Sequence, residues 1–125
     1  MAVAIEAPQR DVLASRLRAQ LLSGPPAADA VAVARRLVAL QGQDARGVRL
    51  AIRSRTRGLT GAAVDDALSV ERSLVLTWLC RGTLHLVRRE DYPWLHALTA
   101  PGLESGLRRR LAELGVDPRA AERGV

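Results

Sequence analysis

Lysine and phenylalanine are missing from this sequence altogether, and there is a single cysteine, Cys80, in 125 residues. A lone cysteine excludes an internal disulfide and a thiolate metal cluster, and leaves Cys80 a buried apolar role. Two tryptophans and one tyrosine, Trp78, Trp94 and Tyr92, are too few aromatics to fill a core. Leu, Val and Ala must build it instead, which favours helix packing. No segment approaches the roughly 18 apolar residues of a membrane-spanning helix. The N-terminus also lacks the basic-then-apolar order of a secretory signal, so a cytoplasmic protein without a membrane partner is expected. Histidine is confined to His85 and His96, and no His, Cys or carboxylate grouping has the spacing of a metal site. No metal and no cofactor is therefore expected. A glycine-rich phosphate loop is absent too, and no serine or cysteine has a base or orienting partner nearby in the sequence.

Arginine is what the chain has in abundance. All 19 basic residues are Arg, against 13 acidic ones, for a formal net charge of +6. Guanidinium groups are planar bidentate donors suited to phosphates, and a basic balance raises the prospect of a nucleic-acid partner. The length suits one domain with a modest core.

Apolar periodicity divides most of the chain into helices. Leu13, Leu17 and Leu21 stripe one face of a helix from Arg10 to Leu22, which Gly24, Pro25 and Pro26 end. A second helix is predicted from Ala27 to Leu40, burying Val31, Ala34, Leu37 and Val38. After a halt at Gln41 to Gln43, Asp44 caps a third, Ala45 to Arg57. At 100° per residue Arg46, Arg49, Arg53 and Arg57 fall on one side of it, and Val48, Ala51 and Ile52 on the other. That arginine stripe, with no carboxylate on its side, is either a solvated face or a phosphate-contacting one. Thr60 caps a fourth helix to Val70, which carries Asp65 and Asp66. Later, Pro93 lies early in a helix burying Trp94, Leu95 and Leu98, Pro101 opens another that Gly115 ends, and Asp117-Pro118 begins one more.

Ser73 to Val87 is different. Leu74 to Leu79 and Thr83 to Val87 have strand composition, with Cys80, Arg81 and Gly82 between them. A two-residue loop would set Trp78 opposite His85, a three-residue loop with Gly82 in a bulge would shift that register, and both stay open. His85 reads as a hydrogen-bonded structural residue and His96 as a surface one. An isolated hairpin is marginal in water, so it must pack on the helices. The expected fold is mainly α with a small antiparallel β-hairpin, an α+β winged helix. Residues 1–9 form a lead-in, 10–115 the winged-helix domain, and 116–125 the start of a further, truncated segment. In a winged helix the helix before the hairpin enters the major groove, where Asp65 and Asp66 would repel phosphates. Groove reading by that helix is not expected.

Gln41 and Gln43 are neutral amides. They cannot abstract a proton, but each can donate and accept and so hold a water or a base edge. The stretch LVALQGQDARGVRLAIRSR, followed by LVLTWLCRGTLHLVRREDYPWL, resembles the AlkZ-type DNA glycosylases, winged-helix proteins that remove alkylated bases and unhook interstrand crosslinks. The resemblance implies that Gln41, Gly42 and Gln43 occupy the family's catalytic motif, a Gln, a small or apolar residue and a second Gln. It likewise implies that Arg81 to Leu86, RGTLHL, is the hairpin signature. Gly42 stands where a larger small residue is usual, which predicts a looser backbone there. The related branch with Asp as the motif's last residue is not matched. Family members resemble tandem winged helices closed by a β-rich part, of which this chain covers the first.

By that resemblance the expected function is hydrolysis of N-glycosidic bonds of alkylated or crosslinked bases in double-stranded DNA. An N7-alkylated purine is cationic and leaves readily, so positioning a water near C1′ and stabilising developing charge can suffice. Gln41 or Gln43 would orient the water, with Arg46, Arg49, Arg53, Arg57 and Arg81 as expected phosphate contacts. The alternatives are a non-catalytic winged-helix DNA-binding or regulatory protein, and a partner-binding unit with an exposed apolar surface.

Overall fold

The computed structural model describes residues 8–123. In chain order its elements are α1 (Gln9–Ala19), α2 (Ala30–Leu37), β1 (Ala39–Gln41), α3 (Ala45–Arg53), α4 (Gly61–Ser69), β2 (Leu74–Trp78), β3 (Leu84–Arg88), α5 (Tyr92–Glu113) and α6 (Pro118–Arg123). The strands form one antiparallel sheet in the order β1-β3-β2. A helix, an edge strand, two helices and a hairpin whose second strand pairs with that edge strand make a winged helix.

Short polar side chains start the three helices of its helical layer. Asp29 Oδ1 accepts from the Ala32 N–H at 2.7 Å, Asp44 Oδ1 from Arg46 at 2.9 Å, and Thr60 Oγ1 from Ala63 at 3.2 Å. Each such cap contributes about 1 kcal/mol.

The period of two along the strands then sorts the sheet into two faces. One face presents Leu40, Leu74 and Leu86 to Val33 and Ala34 of α2, Val48 and Ile52 of α3, and Val64 and Ala67 of α4. The other presents Ala39, Val75 and Val87, which pack with Leu79 beneath Tyr92 and Leu95 of α5. The junction into α5 is fixed electrostatically. Arg88 grips Asp91 bidentately, at 2.7 and 3.0 Å, and also pairs with Glu90, while the Trp94 indole N–H donates to Asp91 at 3.1 Å.

Several local expectations are corrected. The second helix stops at Leu37, because Val38 takes φ 67° and turns the chain, so that Leu40 lies in a strand. The third helix ends at Arg53, which leaves Arg57 in the following loop. Of the Leu13, Leu17 and Leu21 stripe, Leu13 and Leu17 are 52% and 46% exposed and α1 has no buried residue, while Leu21, just beyond α1, packs against the core. Pro101 does not open a new helix but lies inside α5. Cys80 is exposed, on a 3-10 turn at the hairpin tip. The hairpin has the three-residue loop: Leu79 N–H donates to the Thr83 carbonyl at 3.1 Å, and Trp78 faces Leu84. Arg81 and Gly82 both take positive φ there, 58° and 70°. Of the expected lead-in 1–9, residues 1–7 lie outside the described residues.

Candidate functional site

The two glutamines flank the end of β1, where the chain leaves the sheet to enter α3. Gln41 is the last ladder residue and is exposed. The next residue still follows the ladder, its N–H donating to the Leu84 carbonyl at 2.7 Å. Gln43 then turns back, and its side-chain Oε1 accepts from the Leu84 N–H at 3.2 Å. An amide oxygen thus takes the position of a strand carbonyl, leaving the Gln43 NH2 free to donate. Between them Gly42 is buried, and a Cβ on it would come within 2.5 Å of Leu76 Cδ1. The glycine is therefore explained by close approach of β1 to the hairpin. The expected looser backbone is not what this segment has, since both sides of Gly42 are tied to Leu84.

Across the sheet, the register sets Gln41 opposite His85, and His85 opposite Thr77. Directly opposed residues project from the same face. This polar row continues the face whose apolar part, Ala39, Val75 and Val87, is covered by α5. His85 is half-buried, with Nδ1 2.9 Å from the Thr83 carbonyl oxygen. That contact agrees with the hydrogen-bonded role expected of His85. Its position beside Gln41 depends on a strand pairing between segments more than forty residues apart, which no local pattern reveals. Gln41 also lines a shallow cavity of about 250 Å³ with Gln20, Ala39 and Arg55.

The expected phosphate contacts differ in how free they are. Arg46 is exposed and meets Asp44 through its backbone N–H. Arg49 is committed: its Nε and Nη2 lie 2.8 and 2.6 Å from Asp65 Oδ1, and its Nη1 donates to the Ala45 carbonyl at 2.7 Å. The stripe therefore does face a carboxylate, supplied by α4. Arg53 remains exposed while its Nε donates to the Leu59 carbonyl at 3.1 Å. Arg57 is exposed in the α3–α4 loop and Arg81 at the hairpin tip. On α4 the exposed residues are Ala62, Asp66 and Ser69, none of them basic.

A second concavity, about 660 Å³, lies between the hairpin tip and α5, where Trp78, Arg81, His96 and Leu103 line it. Neither glutamine does. The Arg88 and Asp91 pair shifts both titrations. The hydrogen bond from Arg88 holds the Asp91 carboxyl below its ordinary value against the opposing effect of desolvation, and that same bond raises Arg88. This pair anchors α5 and is remote from the polar row in chemistry. Among the described residues no group of three or more His, Cys, Asp or Glu could hold a metal ion, and no helix is long and apolar enough to cross a membrane.

The family model described as DNA glycosylase AlkZ-like matches residues 34–125, which include both glutamines, the arginine-rich helix and the hairpin. Among solved structures, the DNA glycosylase AlkZ of Streptomyces sahachiroi is similar at a TM-score of 0.61 and 32% identity. The match covers 67% of this chain and 22% of that one. No curated protein matches.

Proposed function

The chain belongs to the DNA glycosylase AlkZ-like family, and from that membership we propose that it binds double-stranded DNA, in the cytoplasm, through its winged helix. The observation that carries this reading is the Gln41 to Gln43 segment, tied to the hairpin by Leu84 and opening directly into a helix that exposes Arg46. Binding depends on phosphate neutralisation by Arg46, Arg53, Arg57 and Arg81, with Arg49 held back by Asp65. Base reading in the major groove is not the role of α4, whose exposed surface includes Asp66 and no cation.

The finer proposal is hydrolysis of the N-glycosidic bond of an alkylated or crosslinked base. It is supported by family membership and by the exposed Gln41 amide beside the fixed Gln43. With a cationic purine as leaving group, the C1′–N9 electron pair neutralises the ring as the bond breaks. The protein's task is then to hold a water against C1′, for which Gln41 offers both a donor and an acceptor.

Both levels are tested with one set of proteins: the full chain and a Gln41→Ala, Gln43→Ala double variant, on duplex DNA containing N7-methylguanine. Salt-sensitive duplex binding by both, with base release only by the unaltered chain, is the expected result. Binding without release by either leaves the non-catalytic DNA-binding reading in place. Affinity that is indifferent to salt would overturn DNA binding itself and favour a partner-binding unit.

A further inference from the structure

We infer that His85 accepts the proton of the attacking water, an inference that rests on the hydrolytic reading above. Adding water to C1′ releases a proton, and neither glutamine can take it up, because a neutral amide is not a base at ordinary pH. In the row formed by Gln41, His85 and Thr77, His85 is the one side chain that can. Opposed residues of an antiparallel pair have their Cβ atoms about 4.5–5.5 Å apart, close enough for one water to touch the Gln41 amide and the imidazole.

The tautomer follows from chemistry. His85 Nδ1 lies 2.9 Å from the carbonyl oxygen of Thr83. A carbonyl can only accept, so Nδ1 carries the hydrogen and the neutral ring keeps its lone pair on Nε2. That hydrogen bond also fixes the ring's orientation, the service a carboxylate or carbonyl commonly renders a catalytic histidine. Gln43 is a poorer candidate for holding the same water by its oxygen, since Oε1 is occupied by the Leu84 N–H.

The strand residues that face His85 carry no charge: from β1 come Ala39 and Gln41, from β2 Val75 and Thr77. From α5, which covers this face through Leu95 and Tyr92, the titratable residues of the first turns are Tyr92 and His96, whose rings stand 5.3 Å apart. In the step itself, the C1′–N9 bond breaks with its electron pair passing into the alkylated purine, which becomes neutral. The water oxygen bonds to C1′, and its proton moves to Nε2 and thence to solvent.

The test is single-turnover release of N7-methylguanine from duplex DNA by the full chain from pH 5 to 9, beside His85→Asn. The asparagine NH2 sits near the place of Nδ1, so it can keep the bond to Thr83 while removing the base. The expected result is a wild-type rate that falls toward acid, and a variant slower by roughly 100-fold or more, with that fall abolished and duplex affinity unchanged. A variant matching the wild type in rate and pH profile would overturn the role of His85 while leaving the hydrolytic reading intact. A wild-type rate that does not fall toward acid overturns it too, whether or not the variant folds. No release by the unaltered chain defeats the hydrolytic reading and this inference with it.

Discussion

Adding a single methyl group at Gly42 tests the packing that holds the two glutamines. A Cβ there would stand 2.5 Å from Leu76 Cδ1, but 3.5 Å from the Leu86 nitrogen and 3.6 Å from the Leu84 carbonyl oxygen. The backbone contacts are ordinary van der Waals distances, so the obstacle is one side chain. Leu76 is 41% exposed and can turn away. Forcing it off its rotamer costs about 0.5–1.5 kcal/mol, at the low end of the 1–3 kcal/mol usual for overpacking. Replacing glycine also restricts the unfolded chain, which returns about 0.4–1 kcal/mol. Gly42→Ala should therefore destabilise by about 1 kcal/mol at most. In a Leu76→Ala background the same change should be neutral or stabilising by up to about 1 kcal/mol, a coupling of about 1 kcal/mol between the two sites. Urea unfolding of the four proteins, compared at a common m-value, measures it. Equal effects of Gly42→Ala in both backgrounds would refute the close approach.

Three further outcomes are expected. Arg46→Ala should weaken duplex binding and reduce the slope of log affinity against log salt by about 0.9, whereas Arg49→Ala should leave that slope unchanged, because its guanidinium is already on Asp65; titrations at several salt concentrations separate the two. Asp91 binds its proton less readily in the folded chain than in the unfolded one, so its contribution is complete above the unfolded carboxyl value and disappears as pH falls through the lower, folded one. Thermal midpoints followed into acid should show that loss in the wild type, and Asp91→Asn should lack that component and be less stable at neutral pH. Val38, a β-branched residue at φ 67°, carries strain of about 1–3 kcal/mol, so Val38→Gly should leave the urea midpoint unchanged or raise it despite glycine's greater unfolded entropy; a clear drop would mean that Val38 side-chain packing outweighs the strain.

Much of the helical layer was legible because its signals are local. Asp44 and Thr60 cap helices where their spacing from the apolar residues predicts, and Val48 and Ile52 are buried opposite the arginines. β1 was not legible: Leu40 extends the helical period of Leu37, and a valine is the last residue one would expect to end a helix in a left-handed turn. The exposure of Leu13 and Leu17 on α1 was not legible either, since periodicity reports what a segment could bury and not whether a partner is present. At the site, the glutamines could be named from the motif, but the pairing of Gln41 with His85 and of Arg49 with Asp65 joins residues far apart in sequence. Charge patterning on one helix cannot anticipate a counter-charge delivered by the next.

The Leu84 N–H that ends on the Gln43 oxygen gives the two motif glutamines different freedom to change. At position 41 a substitution alters only what the exposed edge of the sheet offers to a ligand. At position 43 it also leaves a strand donor to find water, so only a side chain with an acceptor at the same reach is neutral to the fold: glutamate satisfies this, aspartate is one methylene short, and alanine has none. Variation that keeps the fold is accordingly freer at position 41 than at position 43, where glutamine or glutamate serves as a piece of scaffold.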